Sequence, residues 1–407
     1  RGSERARRLA GGETRGLSEA LVEHRPRTAE TVLTNARLVL ADEVVHGTLT
    51  LAQGRIASID TGPARTPAAL DLDGALLIPG LVDVHTDNLE RHFQPRAGVL
   101  WDKVAAAIAH DGQIAAAGIT TVFDSLTVGA AQGWDTRAEM IAPMIEGLEY
   151  ARDHAMLRVD HKLHLRCEIT HPDIVAIFEH HSQSPLTAMM SVMDHAPGDR
   201  QSPDIEAYRQ RYQKNPHLSP DEVEAHITGL IEASQRYGPA NSRRLAEVAR
   251  ARGIPLATHD DRTAEHVALA LALGAVLTEF PTTREAAAAA RAHGLPTLMG
   301  SPNIVRGASH SGNVAAAELA RAGLLDMFAS DYIPASLVQA AFKLTEASFG
   351  FAIPEAVALV TAAPAAAVHL DDRGTLAVGK RADLVEIRLV RERPIVRSVW
   401  SAGRRVA

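Results

Sequence analysis

Cysteine is nearly absent. Cys167 stands alone in 407 residues, which excludes an internal disulfide framework and any cysteine-rich metal site, and fits a reducing cytoplasm. No stretch of eighteen or more apolar residues occurs, so a membrane-spanning helix is excluded on length. The formal charge of -7 supplies no basic footprint for nucleic acid. Residues 1–27 carry arginines but no apolar core segment, so they do not form a secretory signal and are expected to be a poorly ordered extension. No internal repeat is evident.

Other features are those of a globular protein. The composition, 46% hydrophobic and 22% charged, is ordinary for a globular protein. The length fits a barrel of about 250 residues plus a smaller module. Histidine, at 19 residues, is the unusual count.

The text TVLTNARLVL, HGTLTLAQGRIASID and ALDLDG between Thr31 and Gly74 predicts short antiparallel strands separated by turns. The last part of the chain, GTLAVGKRADLVEIRLVRERPIVRSVWSAGRRVA, has the same texture, with turns at Gly379 and Gly403. The two ends, 28–75 and 370–407, are therefore expected to meet as a small β-sandwich domain. Between them, over 76–369, apolar strands alternate with alanine-rich helical stretches, the pattern of βα units. Eight strands are readable: LLIPGLVDVH, TTVFDSL, KLHLRCEI, LTAMMSVMDH, IPLATHD, AVLTEFP, LPTLMGSPN and DMFASDY. Eight is the number that closes a (β/α)8 TIM barrel. Helices are predicted over 104–117 and 284–294, among others.

Polar residues gather at the C-terminal ends of these strands, the active-site face of this fold. Strict alternation on the first strand places Asp83, His85 and Asp87 on one side and Val82 and Val84 on the other. On the third it groups His164, Arg166 and Glu168. With His195, His259 and Asp331 at later strand ends, the metal-ligand candidates are His85, Asp87, Glu168, His195, His259 and Asp331. Imidazole and carboxylate together suit one or two divalent ions, zinc, manganese or iron. Such an ion acidifies a water, and Asp331 is the expected proton acceptor and catalytic residue. His154, His161, His180, His181 and His293 are expected at the surface, with His92 intermediate.

These residues, framed by ARLVLADEVVHGTLTLAQGRIASID, LIPGLVDVHTD and GTLAVGKRADLVEI, resemble the amidohydrolase superfamily over nearly the whole chain. The segments HTDNLERHFQPR, CEIT, SVMDHAPGDRQ, THDDRT, EFPTT, MGSPNIVRGASHSGN and SDYIPASL are similar to its phosphonate-catabolism branch. The resemblance implies hydrolysis of α-D-ribose 1-methylphosphonate 5-triphosphate to the 5-phosphate and pyrophosphate, hence a phosphorylated sugar as substrate. Amide or cyclic-amide hydrolysis is the alternative within the superfamily. The usual His-x-His of the first strand is here His85-Thr86-Asp87, a harder set that favours manganese or iron somewhat. Phe280 falls near the position of a common strand-six histidine, for which His195 would supply the nitrogen.

A triphosphate needs cations and donors. The candidates are Arg91, Arg96, Arg200, Arg262, Arg306 and His310, with Arg306 and His310 preferred because they lie in the loop after strand seven, where barrels bind phosphate. Oligomeric state is not readable, and a homo-oligomer is compatible with the sequence.

Overall fold

The computed structural model describes residues 30–129, 137–215, 218–309 and 312–407; the expected extension over 1–27 lies outside them. In chain order the strands are β1 (Thr31–Val39), β2 (Val44–Ala52), β3 (Arg55–Thr61), β4 (Leu70–Asp71) and β5 (Leu76–Pro79). Eight more follow: β6 (Leu81–Thr86), β7 (Ile119–Val128), β8 (Asp160–Glu168), β9 (Thr187–Met193), β10 (Leu256–His259), β11 (Leu277–Glu279), β12 (Thr297–Gly300) and β13 (Met327–Ala329). The chain closes with β14 (Leu384–Val390), β15 (Arg393–Ser401) and β16 (Arg404–Arg405).

The two chain ends build one sheet, in the order β16-β15-β14-β5-β1-β2-β3, with β4 paired to β1. Its pairs are antiparallel except that β1 runs parallel to β4 and β5. Two hairpin turns, Gln53-Gly54 and Ala402-Gly403, have positive φ at both residues, the twist-matched geometry of two-residue loops. They also touch: a Cβ on Gly403 would lie 3.3 Å from the Gly54 Cα, so glycine is needed where N- and C-terminal hairpins meet. Leu33, Leu38, Leu49 and Leu77 from one end bury against Leu384 and Trp400 from the other.

The expected strand LLIPGLVDVH is split at Gly80. Leu76–Pro79 joins the sheet of the chain ends by pairing with β1 and β14, and Leu81–Thr86 enters the barrel. A Cβ at Gly80 would meet Thr120 Oγ1 at 2.1 Å, so only glycine lets the chain pass between the two sheets here. The barrel strands pair in parallel from β6 through β13. Closure is made by a bridge between Thr86 and Asp331 and by the Ser330 amide donating to Asp83 Oδ1 at 3.0 Å.

The ladder between β6 and β7 shifts register between Asp83 and Thr86, yet His85 and Asp87 line one cavity. Val82 and Val84 pack in one cluster with Phe123, Met189, Leu277, Leu298 and Met327. Asp83 instead clamps β6 to β13, and burial pushes its carboxyl up to about 7. The helices predicted over 104–117 and 284–294 run over Lys103–Ala116 and Arg284–Ala292. A 33-residue helix, Pro220–Arg252, is opened by a Ser219/Glu222 capping box. No helix among the described residues is long and apolar enough to cross a membrane.

Candidate active site

The C-terminal strand ends surround a cavity of about 490 Å³ lined by His85, Asp87, Arg166, His259, Asp260, Phe280, Arg306, Asp331 and Tyr332, among others, a size suited to a small-molecule ligand. The closing contacts of the barrel and the ligand candidates are the same residues. The Asp331 amide donates to the His85 carbonyl and the Asp87 amide to the Asp331 carbonyl, both at 3.0 Å. Thr86 Oγ1 also donates to that carbonyl at 2.8 Å.

Each mouth histidine has Nδ1 against a carboxylate. His85 faces Glu279 Oε1 at 2.8 Å, His259 faces Asp260 Oδ2 at 2.7 Å, and His195 faces Glu168 Oε2 at 2.9 Å. That arrangement fixes the ring and leaves Nε2 as the outward lone pair, as in metal-binding histidines. His259 Nε2 and Glu279 Oε2 are buried without any hydrogen-bond partner, a costly state unless something else takes them up. Burial, aided by the Arg166 and His259 charges, holds the His85 pKa well below its usual value, so His85 is neutral and able to ligate. His85, His259 and Glu279 form one group able to hold a metal ion, and His195, His259 and Asp260 form a second, each with ligand atoms within 4.8 Å of one another.

Asp331 has a carboxyl raised to about 7, first by burial and then by the neighbouring Asp87 charge. Asp260, Phe280 and Asp331 have φ values of +58°, +52° and +56°, in the left-handed region that non-glycine residues adopt at a cost. All three sit at or just beyond strand ends. The turn brings His259 and Asp260, neighbours that alternation would send apart, to one cavity.

The structure thus brings His85, Asp87, His259 and Asp331 to one cavity wall and places the Glu168–His195 pair beside His259, with the two imidazole centroids 5.8 Å apart. Sequence reasoning missed Glu279, Asp260 and Arg166 as members of the site. The sixth barrel strand ends at Glu279. Phe280 instead packs edge-on against His85 and His259, at centroid distances of 4.8 and 5.1 Å. The acidic residues in the THDD and TEF segments were the available signal for Asp260 and Glu279.

Among the basic candidates, Arg306 lines the cavity, and Arg91 lies 5.7 Å from the ring centre of Tyr332. Arg200 is committed elsewhere: it donates to Asp261 Oδ1 at 2.7 Å and to the His259 carbonyl at 3.0 Å. Thr278 Oγ1 donates to the same Asp261 carboxylate at 2.8 Å, so Arg200 and Asp261 lock the β9 loop onto β10 and β11. Arg262 is half-buried and Arg96 exposed, and neither is among the cavity-lining residues. His310 falls outside the described residues.

His161 is not at the surface as expected. It is buried at 3% exposure, because β8 begins at Asp160 and carries it inward. His154, His180 and His293 are exposed, and His181 and His92 are half-buried. His110, Asp124 and His161 form a third group with metal-ligand spacing, but here three of the four ring nitrogens are hydrogen-bonded; the fourth, His161 Nε2, has no hydrogen-bond partner. Asn88 Nδ2 donates to His110 Nδ1 at 3.0 Å. His110 is therefore neutral, consistent with burial lowering its pKa, and its Nε2–H donates to Asp124 Oδ1 at 2.6 Å. His161 Nδ1 meets Asp124 Oδ2 at 2.8 Å, and His161 Nε2 lies 3.4 Å from Asp111. Burial alone would lower His161, but the Asp124 and Asp111 charges raise it to about 9. Burial would raise Asp124, yet the His161 charge and the hydrogen bonds from His110 and His161 hold it at about 2.

This buried network ties the residue after Asp87 to β7 and β8. Removing one partner of a buried pair costs about 3–5 kcal/mol, so Asp124→Asn is expected to lose stability on that scale in urea unfolding at pH 6. The Asp124 contribution is present above its unfolded pKa, about 4, and falls away as pH drops toward 2. The His161 contribution is complete below about 6.5 and is lost as pH rises through 9. The variant's stability deficit should shrink at both extremes; a pH-independent deficit would show that the pair is not what was lost.

A family model described as "Amidohydrolase family" matches residues 176–407. Alpha-D-ribose 1-methylphosphonate 5-triphosphate diphosphatase of Escherichia coli (strain K12) is 44% identical over 376 residues, spanning 92% of this chain and 100% of that one. N-isopropylammelide isopropylaminohydrolase from Burkholderia multivorans ATCC 17616 matches with a TM-score of 0.59 at 19% identity, over 93% of this chain and 98% of that chain. Dihydropyrimidinase from Brevibacillus agri NCHU1002 matches with a TM-score of 0.57 at 14% identity, over 93% and 95% of the two chains. The likeness to these two structures is one of fold. A closed eight-strand barrel, an imidazole and carboxylate set at its mouth, and a relative aligned over its entire length lead to one assignment: the chain belongs to the amidohydrolase family.

Proposed function

We propose that this chain is a metal-dependent hydrolase that cleaves α-D-ribose 1-methylphosphonate 5-triphosphate into the 5-phosphate and pyrophosphate. The observation that carries the reading is the 44% identity to the Escherichia coli diphosphatase along that protein's whole length. The cavity supports it on physical grounds, because ligand-type groups and Arg306 line it together, as a polyphosphate requires.

The residues fit one or two divalent ions, zinc, manganese or iron, held by His85, Asp87, His259 and Asp331 with Glu168, His195, Asp260 and Glu279 adjoining. The orphaned His259 Nε2 and Glu279 Oε2 are the atoms such ions would satisfy. A bound divalent ion supplies Lewis acidity at the phosphoryl oxygens and acidifies water. Asp331 accepts the proton of the attacking water. The water oxygen bonds to the α-phosphorus, the bond from that phosphorus to the α,β-bridging oxygen breaks, and pyrophosphate leaves with the electron pair. Arg306 and Arg91 at the rim meet the outer phosphates. A single buried thiol, Cys167, fits a cytoplasmic location.

The test is a panel of the ribose triphosphate, ATP and a cyclic amide, run in ¹⁸O-water with metal-loaded protein. Fast pyrophosphate release from the ribose triphosphate, with label in the 5-phosphate product, is the expected outcome. Turnover of the cyclic amide instead would replace this reading with amide hydrolysis, and label confined to pyrophosphate would move attack to the β-phosphorus.

A further inference from the structure

Arg166 is anomalous within its own strand. Its inward-facing neighbours on β8 are both satisfied. His164 lies 3.1 Å from Ser125 Oγ and 3.0 Å from Ser191 Oγ, and Glu168 accepts from Thr170 at 3.0 Å and meets His195. Arg166 is only 8% exposed and lines the cavity beside His85, His259, Asp260 and Asp331. Nevertheless its Nε is buried with no hydrogen-bond partner, and the side chain makes no ion pair with any described residue. Two half-buried arginines contrast with it: Arg373 is bonded to Asp160 and Asp372, and Arg200 to Asp261.

The Asp260 and Asp331 charges act on Arg166 but not at ion-pair distance, and a buried guanidinium without a direct counter-ion is destabilising, so an anion bound in the cavity would relieve it. The nearby carboxylates do not serve, since none approaches within ion-pair distance and the proposed ions would engage them. Metal loading would raise the local positive charge and strengthen the demand. The planar fork matches two oxygens of a tetrahedral phosphoryl group.

We infer that Arg166 is a catalytic residue that grips the non-bridging oxygens of the phosphoanhydride under attack, at the metal end of the cavity. This rests on the triphosphate reading above, and it separates the deep cation from Arg306 and Arg91, which are rim contacts. Bound there, Arg166 opposes the charge that builds on the phosphoryl oxygens as the bond breaks.

The test uses metal-loaded full-length protein and inorganic pyrophosphate as the probe, with binding read from protection against thermal unfolding. Wild type is expected to be protected. Arg166→Met should weaken pyrophosphate binding about 100-fold and lower kcat/KM on the triphosphate about 100- to 1000-fold, with metal content unchanged. Its ligand-free Tm should equal or exceed that of wild type, because an unpaired buried charge has been removed. Arg166→Lys, which keeps charge but loses the fork, should fall between the two, and it carries the test if Arg166→Met does not fold. Unchanged pyrophosphate binding in the variants, or no binding by wild type, overturns the inference. A wild type that binds pyrophosphate but leaves the triphosphate intact would remove the proposed substrate and spare the anion site. Hydrolysis by wild type with normal pyrophosphate binding by Arg166→Met would do the reverse.

Discussion

Asp331→Asn is expected to lower kcat by about 100- to 10,000-fold, the range for loss of a positioned general base, with a much smaller change in KM. Asparagine keeps the shape and the backbone bridge to Thr86 but cannot take up a proton. Metal content separates the two roles assigned to this carboxylate. Loss of turnover with metal retained assigns the effect to proton transfer, and parallel loss of metal assigns it to ligation. The same substitution has an opposite effect on the metal-free fold. The Asp331 carboxyl is raised from 3.8 to about 7 by burial and by Asp87, so its ionisation disfavours the folded state. Its folded-state pKa lies above the unfolded value, so the stability associated with the protonated form is complete below about 4 and is lost as pH rises through 7. Metal-free Asp331→Asn should therefore match wild type at pH 4 and exceed it in urea midpoint at pH 8. A variant less stable than wild type at pH 8 would contradict this electrostatic account of the mouth.

Removal of divalent metal is expected to abolish hydrolysis and to lower the Tm, and both should return on adding metal back. A ligand at 1,000 times its dissociation constant stabilises the fold by about 4 kcal/mol, so the Tm change should be large. The effect depends on pH through the same carboxyl. Metal uptake must displace any proton on Asp331, so affinity should rise by up to about tenfold per pH unit below 7 and level off above it. His85 adds nothing to this slope, because burial already keeps it neutral. Calorimetry in two buffers of different ionisation enthalpy would count the released protons: about one from Asp331 at pH 6 and close to none from it at pH 8, plus those from His195, whose pKa, against burial, the Glu168 and Asp260 charges raise, where it joins the ligand set.

Much of this was legible before any coordinates. The eight barrel strands were readable because each is a short apolar run ending in a polar residue, and the two chain ends carry the hairpin turns that hold their sheet. The rule that strand ends face the mouth points to His85, Asp87, His259 and Asp331, and these four line one cavity. The same rule failed where the backbone departs from regular strand. Alternation excludes Asp260 because it follows His259, yet a φ of +58° turns it to the same cavity. Glu279 was obscured by Phe280, whose ring suggested the ligand position but serves as a wall behind two histidines. Arg166 was assigned to the correct face, but its isolation is a matter of what does not surround it, and distances alone reveal that. His161 was misread as a surface residue because its strand begins two residues earlier than the apolar text suggests.

The central claim is that the barrel mouth, and not the buried His110–Asp124–His161 network, holds the metal on which the chemistry depends. Anomalous diffraction at the absorption edge of the ion bound by the active protein tests it most directly. The expected result is a peak beside His259 Nε2 within reach of His85 and Asp331, disappearing on chelation together with activity. A peak only between His110 and His161, or an active protein with no peak at the mouth, would contradict the account.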